Sequence, residues 1–195
     1  MPAEKRQPLM RQIFSVPNQL TMLRMLILPF IFIAMFYREH RLALGLFVLA
    51  ATTDAIDGII ARRFNQKTLL GAYLDPIADK LLLNSSFVAQ SLIGAIPWWL
   101  TILVLSRDLM IVATVAVMVL ATSIRDFPPS LYGKANTMIQ VATLMCVVWN
   151  NAVMDALTAE LAEILIWAAA GTTLVSAFHY AVDTTRRIQA HHGET

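Results

Sequence analysis

At 195 residues, with 57% apolar and 14% charged residues and a mean hydropathy of +0.62, the chain departs from soluble averages of roughly 45–50% and 25% and reads as a membrane protein. The formal net charge of +2 is small, so what matters is where the fifteen Lys and Arg residues fall, and nucleic acid is not expected as a partner. The single cysteine, Cys146, excludes an intrachain disulfide framework and a cysteine metal centre.

In chain order, RQPLMRQIFSVPN mixes Arg11 with Leu9, Met10, Ile13 and Phe14. This pattern predicts a short interfacial helix in segment 1–17, serving as an anchor or a lid. A bilayer core of about 30 Å needs roughly 20 mostly apolar residues per helix. Six such stretches begin near Asn18, Leu42, Ala72, Pro97, Gly133 and Glu160. The first follows Lys5, Arg6 and Arg11 but has no small-residue cleavage site, so it is expected to be retained as a span. The fold class is therefore all-α, a polytopic membrane protein with six transmembrane helices. One domain, 18–187, is expected between the interfacial segment and a polar tail, 188–195.

Basic residues set the orientation. Lys5, Arg6 and Arg11, then Arg62, Arg63 and Lys67, then Arg125 and Lys134, then Arg186 and Arg187 fall on one side; only Arg38 and Arg41 fall on the other. Both termini should be cytoplasmic. Pro128 and Pro129 break the chain between the fourth and fifth spans. Tyr37, Trp98, Trp99 and Tyr132 lie near span ends, as interfacial aromatic anchors do. His179 and Asp183, at i and i+4, suit an interfacial pair better than an acid/base pair.

Arg24, Lys80 and Arg107 fall within or at the edge of spans, where charge is costly and marks a polar site. Four aspartates do the same. Asp54 and Asp57 share a helix face near the cytoplasmic end of the second span, and Asp75 and Asp79 share one at the start of the third. The short connection between these spans makes them antiparallel neighbours and brings the carboxylates to one depth. Four adjacent anions repel, and a hard divalent cation such as Mg²⁺, Mn²⁺ or Ca²⁺ removes the difficulty. Paired ions would suit a pyrophosphate. Gly58 and Ala61 leave room beside the aspartates, Arg62 one turn on can reach phosphate, and Gly71 serves ligand access or close packing. A membrane prenyltransferase would also use aspartates on helices, but without the Gly58, Ala61 and Arg62 set. A cation transporter would place its carboxylates near midbilayer, on a path across the membrane.

These eight residues stand at the spacing D-x2-D-G-x2-A-R-x8-G-x3-D-x3-D. Eight fixed positions at roughly 5–8% usage arise by chance on the order of once in a billion start points. The pattern resembles the signature of the CDP-alcohol phosphatidyltransferases, and no position departs from it. The resemblance implies that an alcohol hydroxyl attacks the β-phosphorus of CDP-diacylglycerol and releases CMP. Asp54, Asp57, Asp75 and Asp79 would hold two divalent ions, Mg²⁺ or Mn²⁺, with Asp79 also the general base. Gly58, Ala61 and Arg62 would contact the CDP moiety beside Asp57 and Gly71, as would Thr21 in PNQLTMLR. A homodimer in the bacterial inner (plasma) membrane, with its site facing the cytoplasm, is also implied.

PNQLTMLR, YLDPIADK and YGKANTMIQ are similar to the branch containing phosphatidylglycerophosphate synthases and eukaryotic-type cardiolipin synthases. Glycerol 3-phosphate is the acceptor placed first, and phosphatidylglycerol the alternative. Both carry phosphate, for which Arg24, Arg107 and Lys134 are the candidate cations. Arg107 has a simpler reading beside Asp108, and Lys134 one as a snorkelling side chain.

Overall fold

The computed structural model describes the backbone of residues 16–63, 69–121 and 131–192, and the side chains of residue 19 and of residues 21–53, 76–117 and 131–185. The interfacial helix expected in 1–17 lies outside the described residues, apart from its last two positions. Every regular element among the described residues is a helix, as the composition led us to expect. The helices are α1 (Val16–Phe36), α2 (His40–Arg63), α3 (Leu69–Leu92), α4 (Trp98–Ala121), α5 (Leu131–Val153) and α6 (Ala156–His192). They fall into two compact units, Met1–Ile93 and Gly94–Thr195.

In the first unit α1 packs against both α2 and α3. Its buried positions, Thr21, Arg24, Ile31 and Met35, recur at intervals of one or two helical turns and form one stripe, while Leu26, Phe30 and Ile33 face outward. Ala43, Phe47 and Ala50 make the matching face of α2, and Ala78, Leu82, Ser86 and Phe87 lie buried on α3. The connection from α1 to α2 is tight. Arg38 takes φ 61°; its N–H donates to Met35 O at 3.1 Å and that of Glu39 donates to Ala34 O at 2.9 Å. This is a Schellman closure, built with arginine where glycine is usual. Thr52 and Thr53 donate their hydroxyls to the carbonyls of Val48 and Leu49, 2.8 and 2.9 Å away, which lets polar residues enter α2 just before Asp54 without unpaired groups. Pro76 lies inside α3 and denies the Ala72 carbonyl its usual donor, one residue after Asp75. Gly94, at φ 81°, follows α3 in the left-handed conformation that a side chain would oppose.

In the second unit α6 packs against α5 and α4. α5 and α6 are antiparallel: Tyr132 meets His179, Asn136 meets Thr172, and Thr143 meets Leu165. α4 and α6 run parallel, since Trp99 meets Trp167 and Arg107 meets Ser176. Small buried residues on α6, Ala162, Ala169, Thr173 and Ser176, permit this close approach.

Among the described residues, two helical stretches, Trp98–Val117 and Ala156–Thr185, are long and apolar enough to cross a membrane; Thr21–Phe36 and His40–Thr53 are shorter apolar stretches.

Candidate active site

The second half of α2 carries Asp54, Asp57, Gly58, Ala61 and Arg62, and the first half of α3 carries Gly71, Asp75 and Asp79. The helical spacing within each set is therefore realised. Of these eight, Asp79 has its side chain described; the side chains of Asp54, Asp57, Ala61, Arg62 and Asp75, and the facing of α2 and α3 expected at them, lie outside the described residues. Among the described residues no group of three or more His, Cys, Asp or Glu comes together.

α1 is the helix in contact with both aspartate-bearing helices. Thr21 is fully buried on it, and so is Arg24 one turn later. Arg24 reaches across to α3, where Nη1 donates to Asp79 Oδ1 at 2.6 Å. Their exposures differ sharply: 1% for the Arg24 side chain and 47% for that of Asp79. A guanidinium stripped of water is tolerated when a carboxylate and further hydrogen bonds replace it. The helix PNQLTMLR thus delivers a buried cation to the signature. Sequence reasoning set Arg24 aside as an acceptor ligand and missed this pairing. The available signal was the i, i+3 placement of Thr21 and Arg24 within one segment.

The other two candidate cations lie in the second unit. Arg107 is 7% exposed. Its Nη1 donates to Asp108 Oδ1 at 2.9 Å and its Nη2 to Ser176 Oγ at 2.6 Å, so the guanidinium ties α4 to α6. Lys134 is exposed near the start of α5.

Below Arg107 the α5–α6 contact is a polar seam. Asn136 Oδ1 accepts from Thr172 and Thr173 at 3.0 and 2.9 Å, and Thr143 donates to Ile139 O at 2.7 Å and to Leu165 O at 3.2 Å. Asn136, Gln140 and Thr143 occupy one helical face, a pattern open to inspection in the sequence but not singled out there. A groove of about 330 Å³ lies at one end of this pair, lined by Tyr132, Val175, Phe178, His179, Val182 and Asp183. The Tyr132 and His179 rings lie 4.4 Å apart there.

The profile of the CDP-alcohol phosphatidyltransferase family matches residues 14–175. A probable phosphatidylglycerophosphate synthase of Mycobacterium tuberculosis is 36% identical over 140 residues, covering 68% of this chain and 65% of that protein. A CDP-diacylglycerol–glycerol-3-phosphate 3-phosphatidyltransferase of Bacillus subtilis is 29% identical over 182 residues, 86% of this chain and 93% of its own length. A human cardiolipin synthase (CMP-forming) is 32% identical over 188 residues, 86% of this chain and 60% of that protein. The matched stretch takes in α1, the whole signature on α2 and α3, and most of the second unit. On the strength of that coverage, the chain belongs to the CDP-alcohol phosphatidyltransferase family.

Proposed function

We propose that the protein transfers a phosphatidyl group from CDP-diacylglycerol to glycerol 3-phosphate and releases CMP, acting as a phosphatidylglycerophosphate synthase. The observation that carries this reading is the complete eight-residue signature, borne on two helices that share α1 as neighbour. The Bacillus subtilis relative, aligned over 93% of its length, supports the soluble acceptor. Cardiolipin synthesis from phosphatidylglycerol is the second reading, favoured by the human relative's alignment over 86% of this chain.

In this reading Asp54, Asp57, Asp75 and Asp79 would hold two divalent ions, Mg²⁺ or Mn²⁺, with Asp79 also the general base. The donor set fits such ions because it is all carboxylate oxygen, with one described member, Asp79, half open to its surroundings. Bound ions would neutralise pyrophosphate oxygens. Thr21, Asp57, Gly58, Ala61, Arg62 and Gly71 hold the CDP moiety, with Arg62 on phosphate. Asp79 takes the proton of the acceptor hydroxyl, the freed oxygen attacks the β-phosphorus, and the bond to CMP breaks. Lys134 comes first for the acceptor phosphate because it is exposed. Arg107 comes second, since both its terminal nitrogens already donate within the protein.

All six helices span the bilayer in this reading, as one domain of residues 18–187 with both termini cytoplasmic. The enzyme works as a homodimer of the bacterial inner membrane. The distribution of side chains supports hydrocarbon as the outer solvent: Leu26, Leu109, Trp167 and Phe178 face out, while Arg24, Gln90, Asn136 and Gln140 are buried.

The test is CMP release by the purified protein in detergent with Mg²⁺ and CDP-diacylglycerol, run with each acceptor in parallel. Release with glycerol 3-phosphate alone is the expected result. Release with phosphatidylglycerol alone selects the second reading, and release with neither by folded protein overturns both.

A further inference from the structure

We infer that the groove between α5 and α6 binds a bilayer phospholipid whose headgroup carries a primary ammonium, of the phosphatidylethanolamine kind. Its residues take no part in the phosphatidyl-transfer reading above. The groove is about 330 Å³, the size of a small ligand site, and is lined by Tyr132, Val175, Phe178, His179, Val182 and Asp183. It lies towards the C-terminal end of Ala156–Thr185, a stretch long and apolar enough to cross a membrane.

Two hydrogen-bonding side chains of the groove are without such partners in the protein. His179 and Asp183 stand one turn apart and would pair by spacing, yet among the described residues His179 makes no hydrogen bond or ion pair. Its Nδ1 is enclosed and unpartnered, so bonding from this ring falls to Nε2. Tyr132 is exposed, and its contact is the His179 ring, with centroids 4.4 Å apart. At the edge of hydrocarbon, a hydroxyl and an imidazole cost free energy until a ligand supplies an acceptor. A lipid phosphodiester supplies one to both.

Along α6 the lining changes in the order that a phospholipid does. Val175, Phe178 and Val182 recur at i, i+3 and i+7 as an apolar stripe, and Phe178 is 75% exposed, open to an acyl chain. His179 and Tyr132 follow, and Asp183 lies one turn beyond His179. From Val175 to Asp183 the helix rises about 12 Å. A headgroup with phosphate alone would meet the Asp183 carboxylate as a like charge, whereas an ammonium turns that contact into attraction. Asp183 has a further interaction within the protein, and a carboxylate, with about four acceptor sites, can serve both.

The experiment titrates the purified full-length chain in detergent, without CDP-diacylglycerol or divalent ions, and reads bound lipid by native mass spectrometry. The probes are phosphatidylethanolamine and phosphatidylpropanol of the same chains, in which a methyl replaces the ammonium. Phosphatidylethanolamine should bind about tenfold more tightly, the scale of one charge-assisted contact. Asp183→Asn should abolish that preference by weakening phosphatidylethanolamine alone. Tyr132→Phe deletes one hydroxyl from an exposed ring and should weaken both lipids about fivefold while leaving the preference. Equal wild-type affinity for the two lipids overturns the proposal, as does no binding of either. So does a preference that survives in folded Asp183→Asn, which would put the ammonium elsewhere. If Asp183→Asn does not fold, Tyr132→Phe and His179→Phe decide: weaker binding of both lipids in each sustains the site, and unchanged binding in either overturns it. None of these measurements needs turnover, so failure of the acceptor assay and failure of this site are seen separately.

Discussion

Two arginines are buried among the described residues, and they are held in opposite ways. Arg24 pairs with Asp79, 55 positions away on another helix, and that carboxylate stays 47% exposed. Arg107 pairs with its sequence neighbour Asp108, itself 9% exposed, and spends its remaining terminal nitrogen on Ser176. Both cations are nearly dry, so neither would persist without a partner. What separates them is whether the partner remains reachable. An exposed carboxylate on a buried cation is poised for a ligand; a buried one completes a clamp between helices.

The largest expected effect tests the open pair. Asp79→Asn should reduce CMP release by about 10³-fold or more, as removal of a general base does, while CDP-diacylglycerol binding partly survives. Full turnover in that variant would remove Asp79 as the base and break the contrast. At the closed pair, Arg107→Leu takes the paired cation from the buried Asp108 carboxylate and should cost about 3–5 kcal/mol of stability in a detergent unfolding titration. A stable Arg107→Leu protein with a raised acceptor KM would instead make Arg107 a ligand-binding cation like its counterpart. Lys134→Ala sharpens that test: its exposed side chain should alter acceptor KM by about tenfold and leave the unfolding midpoint where it was.

Smaller effects probe neutral polar contacts. Asn136→Ala removes the acceptor shared by Thr172 and Thr173 and should lower stability by about 1 kcal/mol in the same titration. Its effect on turnover should be no larger than the stability loss explains. The smallest change touches neither arginine pair. Arg38→Gly, at φ 61°, relieves the left-handed backbone of the α1–α2 turn and should raise stability by about 0.5 kcal/mol. A destabilised Arg38→Gly would mean that the arginine side chain contributes more than its backbone costs.

Six apolar stretches were legible, and all six are helices. Their ends were less so. α6 starts at Ala156, ahead of the expected Glu160, because Asp155 accepts from both Thr158 and the Ala159 N–H and begins the helix among polar residues. It runs on to His192, since hydropathy locates the apolar part of a helix, whereas backbone hydrogen bonding decides its length. The signature was legible because local helical spacing determines which of its residues share a face. The partner of Arg24 was not, because it lies two helices away, and packing against α3 decides which carboxylate it meets. The partner of Arg107 could be anticipated in Asp108 from adjacency, but Ser176 could not.

By itself, then, the sequence determined that the chain is helical and rich in hydrocarbon-compatible surface, and that eight signature residues occupy one pair of helices, since periodicity and composition act within a few residues of each position. The tertiary structure decided which buried charge serves which carboxylate. A guanidinium can satisfy its desolvation by any acceptor within reach, and only the packing of α1 on α3, and of α4 on α6, brings Asp79 to Arg24 and Ser176 to Arg107.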